Sequence, residues 1–190
     1  IYFYVIIFLI FIILFILFYN NKTIESFINP KPYIWMFWET LPNKNKPGYI
    51  DLCYKSVVHN CSNCFNIVYL NESNIKKYIP EIKNYNISEL KIQHKADIYR
   101  YLLLKKYGGL WIDADILVLK CLCKYYKNLD NYDYIGFGCG YNKEFCKKSL
   151  YGYGSPLNWI MGSKPNTKYL NCIISNVEEK LKNITKVKYH

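Results

Sequence analysis

Acidic residues are scarce in this chain, internal repeats are missing, and no arginine-rich arm is present. Without a repeat, its 190 residues are not a solenoid or propeller assembled from copies of one unit. Asp and Glu number 14 against 25 Lys and Arg, a formal charge of +11. Such a balance suits an anionic partner, whether a nucleotide diphosphate, a membrane surface or nucleic acid. The lysines are scattered between Asn and Tyr instead of gathered along one element, so the basic stripe of a nucleic-acid binder is lacking and no nucleic-acid partner is expected. The abundance of Tyr, Ile, Lys and Asn reads as a coding bias. It makes the lysines solvated and aromatic runs weak evidence of function.

Charge, glycine and proline are all absent from Ile1 to Tyr19. At about 1.5 Å per residue that run would reach about 28 Å as a helix, close to the hydrocarbon thickness of a bilayer. A cleaved signal peptide usually has a shorter apolar region and a small-residue cleavage site, and none follows Tyr19. The expected organisation is a single-pass membrane anchor over 1–19, a linker over 20–30 and one domain over 31–190, ample for a single core. Lys22 and Lys31 follow the span, which by charge alone leans towards a cytosolic body.

The eight cysteines invite a metal or redox role. Cys61-x-x-Cys64 and Cys121-x-Cys123 offer four zinc ligands, although the second spacing is tighter than structural zinc sites normally use. Disulfides are the better expectation in a luminal domain, with pairing illegible in the sequence, and small core residues in a cytosolic one. Asn21, Asn60, Asn71, Asn86 and Asn183 begin N-x-Ser/Thr triplets, glycan acceptors only in a lumen.

Elements alternate along the domain. Strands are expected at Tyr33 to Trp38 and Phe65 to Leu70, and helices at Tyr49 to His59 and Ser73 to Tyr78, the latter ended by Pro80. A polar connection from Asn84 to Ser88 leads to the central stretch. Tyr134 to Gly138 is a further strand, where Gly136, Gly138 and Gly140 would let backbone approach a ligand or bend a loop. A terminal helix is expected over Asn171 to Leu181. The alternation implies a mostly parallel sheet flanked by helices, with ligands at the carboxyl ends of its strands, near Trp38 and Asp113.

The central stretch, Lys95 to Leu119, divides at Gly108-Gly109. Before the glycines, Ile98, Tyr101, Leu102 and Leu104 recur at a helical interval, and Lys105-Lys106 suit the last turn of a helix. Gly108 supplies the left-handed residue that ends it. Leu110-Trp-Ile and Ile116-Leu-Val-Leu then read as a buried strand interrupted by Asp113 and Asp115. In an unbroken strand both carboxylates would enter the core together, which is costly unless they are paired or bound to a metal. If the strand ends at the pair, both acids stand at the rim of the sheet, where they could hold Mg²⁺ or Mn²⁺ together with a substrate's phosphates. Asp97 and Arg100, three apart, share one face of the preceding helix.

The pattern Ala-Asp-Ile-x-Arg-Tyr-x-x-Leu-x-x-Tyr-Gly-Gly-x-Trp-x-Asp-x-Asp resembles the core of the DxD sugar-transferase families. These are the capsular polysaccharide synthesis proteins, the Och1-like mannosyltransferases and, more distantly, the glucosylating clostridial toxins. Lys31-Pro-Tyr-Ile-Trp-Met-Phe-Trp-Glu is similar to their first strand, with Pro32 and Trp38 in register. Ser155-Pro-Leu-Asn-Trp-Ile-Met-Gly loosely resembles the segment where relatives contact donor or acceptor. The matches extend from Pro30 to Trp159, and relatives continue beyond the point corresponding to His190.

This resemblance implies a glycosyltransferase-A-like nucleotide-diphospho-sugar transferase fold and a metal-dependent hexosyltransferase of the retaining kind. Its donor would be a nucleotide diphosphate sugar, and its acceptor a glycan, glycolipid or glycoprotein. By motif position, Asp115 would ligate Mn²⁺ or Mg²⁺ directly, while Asp113 would do so through water or hold the ribose. Asp97 and Arg100 would hold the donor's sugar hydroxyls and diphosphate. Trp38 would stack on the base, and Trp111 stands where relatives carry an aromatic beside the donor. The anchor and the resemblance together imply a type II protein of the Golgi or endoplasmic reticulum with a luminal domain. The alternative is a membrane-anchored nucleotide-sugar-binding or scaffold module without turnover.

Overall fold

The computed structural model describes residues 7–8, 10–17, 30–138 and 156–182. Two units, divided between Lys31 and Pro32, are taken separately. In the first, residues 7–8 and 10–17 are helical, and large apolar side chains such as Phe8, Phe11 and Phe15 are exposed. Among the described residues, no helix is long and apolar enough to cross a membrane. The rest of the expected anchor, and residues 20–29 of the linker expected over 20–30, lie outside the described residues.

The second unit is a five-stranded sheet flanked by helices. Its strands are β1 (Tyr33–Phe37), β2 (Asn66–Leu70), β3 (Gly109–Ile112), β4 (Tyr134–Gly138) and β5 (Pro156–Ser163), in the order β2-β1-β3-β5-β4. The long helices are α1 (Gly48–Cys61), α2 (Ile92–Tyr107) and α3 (Lys168–Lys182). β1 pairs in parallel with both β2 and β3. β5, by contrast, runs antiparallel to β3 and to β4. The sheet is therefore mixed, not mostly parallel. The strand that makes it so, β5, lies in the stretch read only as a contact segment.

Residues two apart on a strand share a face, and β1 uses both of its faces for core. Ile34 and Met36 join Val57 and Cys61 of α1 with Leu110 and Ile112. Trp35 and Phe37 join Leu103 of α2, Ile174 of α3 and Trp111 on the opposite side. The buried Trp35 indole donates to the Gly108 carbonyl at 3.0 Å, pinning the end of α2 to the sheet.

Gly108 ends α2 as expected, but its φ of 66° comes with a ψ of −159°, extended instead of left-handed helical. The next residue, Gly109, has a φ of 97°, and a Cβ there would lie 2.3 Å from the Tyr33 carbonyl oxygen. Two positive-φ residues in succession turn the chain from helix directly into β3, beside β1.

The strand expected at Ile116 to Leu119 does not form. β3 stops at Ile112, and the Ile116 N–H bonds to the Asp113 carbonyl at 3.1 Å, closing a turn. The chain then leaves the sheet and lies against α1. Val118 N–H donates to Ser56 Oγ at 2.9 Å, and Asn60 Nδ2 donates to the Val118 carbonyl at 2.9 Å. Side chains of α1 thus replace a strand partner for this backbone. Val118 is buried while Leu117 and Leu119 are exposed. The same bonds engage Asn60, one of the N-x-Ser triplets. Asn71 of another is engaged as well, its side-chain oxygen accepting the backbone N–H of Ser73 and of Asn74.

Candidate functional site

The chain passes from β1 through α1 to β2 on one side, then returns through α2 to β3 on the other side of β1. That reversal opens a crevice at the carboxyl ends of β1 and β3, the place where open α/β sheets bind ligands. Trp38 follows β1 there, and Asp113 follows β3. A cleft of about 460 Å³ occupies the position, lined by Trp38, Asp97, Arg100, Trp111, Asp113 and Asp115. All six residues singled out in the sequence are brought together, and the volume is that of a small-molecule site.

Arg100 holds the group together. It is the chain's single arginine and is buried, 5% exposed. Its Nη2 lies 3.1 Å from Asp97 Oδ1 and its Nη1 3.3 Å from Asp113 Oδ1. Nη1 also donates to the Asn158 carbonyl on β5. The guanidinium lies over the Trp111 ring, 5.0 Å from its centroid. Only a planar fork with several donors meets carboxylates, carbonyl and ring at once; a lysine ammonium would not.

Asp113 is fixed from three directions. Its backbone N–H donates to the Trp159 carbonyl at 2.8 Å, and its Oδ1 accepts the Trp111 indole N–H at 2.7 Å as well as facing Arg100. Burial pushes its carboxyl above the ordinary carboxylate range. Arg100 and the Trp111 N–H pull it down, and Asp115 and Asp97 add to the rise. Asp115, two residues on, is exposed and carries no such clamp among the bonds described.

The donor chemistry suits a hard divalent cation. Four carboxylates line the cleft, those of Glu39, Asp97, Asp113 and Asp115, against two cationic side chains, Lys44 and Arg100. Oxygen ligands in excess of positive charge are what Mn²⁺ and Mg²⁺ bind, often with only one or two carboxylates. Among the described residues, the acids do not form a ready cage of three converging ligand atoms. Two donors of the cleft's own residues, Trp38 Nε1 and Arg100 Nε, are buried without a hydrogen-bond partner.

The profile of the capsular polysaccharide synthesis protein family matches residues 13–183. The chain belongs to that family. Its fold is also that of a glycosyltransferase, as shown by similarity to the solved PaToxG glycosyltransferase. That alignment has a TM-score of 0.51 at 18% identity and covers 87% of this chain and 68% of the other. An uncharacterized glycosyltransferase of Acanthamoeba polyphaga mimivirus is 34% identical over 83 residues, which are 44% of this chain and 28% of that protein. The chain therefore spans under a third of that curated relative.

Some residues that line the cleft or hold its side chains were not singled out in the sequence. Asn158 Nδ2 donates to Asp97 Oδ1 at 3.0 Å, so β5 helps to set the orientation of that acid. The loose match around Ser155 to Gly162 was its only signal. Glu39 lines the cleft while its Oε2 accepts the Glu72 N–H at 2.7 Å. Lys44 and Gln93 also line it and belong to no motif.

Proposed function

We propose that this protein is a metal-dependent glycosyltransferase that moves a hexose from a nucleotide diphosphate sugar to a glycan, glycolipid or glycoprotein acceptor. The observation that carries the reading is the gathering of six motif residues, supplied by three elements of the chain, around one cleft at the strand-order reversal. Asp113 and Asp115 would hold Mn²⁺ or Mg²⁺, which when bound neutralises charge on a departing nucleotide diphosphate.

The chain's own residues do the rest. Arg100, already oriented by Asp97 and Asn158, presents positive charge to the donor's diphosphate. Its unpartnered Nε–H and that of Trp38 suit a ligand rich in acceptor oxygens. Asp97 accepts hydrogen bonds from hydroxyls of the transferred sugar, and Trp38 and Trp111 give the donor flat apolar surface. The transfer retains anomeric configuration, a course that requires no dedicated side-chain base. Residues 1–19 anchor the protein in a membrane, with the catalytic unit in the lumen and the acceptor delivered at that surface.

The test uses the full chain in detergent with a panel of UDP- and GDP-sugars, with and without Mn²⁺, following nucleotide release and thermal stabilisation. Mn²⁺-dependent release that disappears in Asp113→Asn/Asp115→Asn supports the transferase and identifies its donor. Stabilisation without release favours the binding module. Neither signal, from a folded protein, sinks the nucleotide-sugar reading.

A further inference from the structure

The N-x-Ser/Thr triplets at Asn21 and Asn183 lie outside the described residues, and the other three have different surroundings. An N-linked glycan is bulky and stands at the surface, on an amide nitrogen that the fold can spare. Asn60 cannot spare its own. It is half-buried in the last turn of α1, and its Nδ2 donates to the Ser56 carbonyl at 3.0 Å and to the Val118 carbonyl at 2.9 Å. A sugar on that nitrogen leaves one N–H for two acceptors and intrudes between α1 and the segment that follows the Asp113 turn. Asn71 is also half-buried. Its Oδ1 accepts the N–H groups of Ser73 and Asn74 and, at 2.6 Å, the Ser73 hydroxyl. Glu72, the middle residue of that triplet, accepts from the Tyr99 hydroxyl and donates its N–H to Glu39 of the cleft. A glycan on Asn71 would load the segment that braces the cleft.

Asn86 differs on each count. It follows the 3₁₀ turn Pro80–Asn84 in the connection to α2. Asn86 and Ser88 are both exposed, whereas Ile87 between them is 8% exposed and belongs to the core. The Ile87 N–H donates to the Tyr85 carbonyl at 2.9 Å, and its carbonyl accepts the Leu90 N–H at 3.1 Å. Ile87 thus pins the loop, while the amide and the hydroxyl that define the triplet stand in solvent. Among the described residues, the Asn86 side chain has no hydrogen-bond partner. Beside it lies a groove of about 290 Å³ lined by Tyr85, Glu178 and Lys182, none of which lines the cleft. The Tyr85 hydroxyl donates to Glu178 Oε1 at 2.7 Å, so the floor of that groove is tied to α3. A first sugar has room there, with a ring and hydroxyl acceptors beside it, and the cleft stays open.

We propose that Asn86 is an N-glycosylated residue whose oligosaccharide comes from a lipid diphosphate donor. In that transfer the bond from Asn86 Nδ2 to the sugar's anomeric carbon forms as the bond from that carbon to the diphosphate oxygen breaks. The lipid diphosphate leaves with the bonding electron pair, and Nδ2 gives up one proton. The inference rests on the luminal placement proposed above. Cys64 and Cys123 are joined in a disulfide, a bond of oxidising compartments such as a lumen.

The test is translation of the full chain, extended by a C-terminal Asn-Gly-Thr acceptor tag, in the presence of microsomes that hold the oligosaccharide donor and its transferase. Gel mobility is read before and after peptide-N-glycosidase, and mass spectrometry locates the glycosylated peptide. The tag reports whether the domain reaches the lumen. Expected is a glycosylated tag together with a glycan on the peptide holding Asn86. Asn86→Gln and Ser88→Ala, both at exposed positions, should each remove that one glycan and leave the tag's in place. Ser62→Ala and Ser73→Ala, which break the triplets at Asn60 and Asn71, should leave the Asn86 glycan unchanged. A glycosylated tag with Asn86 bare overturns the proposal and leaves the luminal placement standing. A bare tag overturns both.

Discussion

Arg100 Nη1 lies 3.3 Å from Asp113 Oδ1, joining the middle of α2 to the residue that follows β3. The same guanidinium reaches Asp97 one helical turn back and the Asn158 carbonyl across the sheet. One buried fork thereby sets the mutual positions of three elements around the cleft. Arg100→Lys keeps the charge and loses the fork. The expected outcome is a folded chain whose affinity for UDP or GDP in the presence of Mn²⁺ falls at least about tenfold, the scale of one charge-assisted bond. Isothermal titration of parent and variant checks it; unchanged affinity would mean that Arg100 is only a strut.

Asp113 stands under opposite demands from stability and function. Burial holds its carboxyl above the ordinary range in spite of Arg100 and Trp111. A carboxyl whose folded pKa exceeds its unfolded pKa penalises the fold at pH above the folded value. Below the unfolded value, about 3.9, the penalty is gone. Asp113→Asn is therefore expected to raise the Tm of the metal-free chain at pH 7, with the gain shrinking as pH falls towards 4. The same change should abolish Mn²⁺-dependent stabilisation by the nucleotide. A lowered Tm at pH 7 would show that the ion pair with Arg100 outweighs the cost of burial.

How far the sequence disclosed these arrangements depends on the range of the forces involved. Asp97, Arg100, Trp111, Asp113 and Asp115 lie within one short stretch, and helix and strand periodicity placed them correctly relative to one another. The end of β3 at Ile112 was visible as one of two alternatives, because a carboxylate pair cannot continue a buried strand unaided. Ile116 to Leu119 misled because bulky residues favour a strand wherever a partner exists, and here Ser56 and Asn60 from α1 occupy that backbone instead. Asn158 and Glu39 were hidden for a related reason. Asn158 comes to the site only by its long-range bond to Asp97, and Glu39, although it ends the first-strand match, is oriented by the distant Glu72 N–H, and no local pattern encodes either bond. The cysteines were half legible, since spacing offered Cys61, Cys64, Cys121 and Cys123 as one group but could not show that Cys61 turns into the core while the other three come together.

Gly109 tests whether the helix-to-strand corner positions the site. Its φ of 97° is unfavourable for any side chain, and an added Cβ would meet the Tyr33 carbonyl, a backbone atom that cannot swing aside. Gly109→Ala is expected to cost about 3 kcal/mol, a fall in Tm of roughly 10 °C for a chain of this size. Gly48→Ala is the control, because nothing lies within 4 Å of a Cβ there. Thermal unfolding of the two variants side by side decides it. Equal Tm values would mean that β1 and β3 separate at no cost.

Trp38 and Trp35 stand three residues apart and should respond in opposite ways. Trp35 is fully buried, stacks against Tyr33 with ring centroids 4.6 Å apart and satisfies its indole N–H on Gly108. Trp38 is half-buried, lines the cleft and leaves its indole N–H without a partner. Trp35→Phe removes a core bond and volume, so it should lower stability by roughly 1–3 kcal/mol while leaving nucleotide affinity in the folded fraction near that of the parent. Trp38→Ala removes a stacking surface worth about 1–3 kcal/mol per base, which predicts a loss of about tenfold in UDP or GDP affinity with little change in Tm. Tryptophan fluorescence adds a direct readout, because nucleotide bound against Trp38 should quench emission in the parent and in Trp35→Phe but not in Trp38→Ala. Quenching that survives Trp38→Ala would move the base to the other side of the cleft, against Trp111.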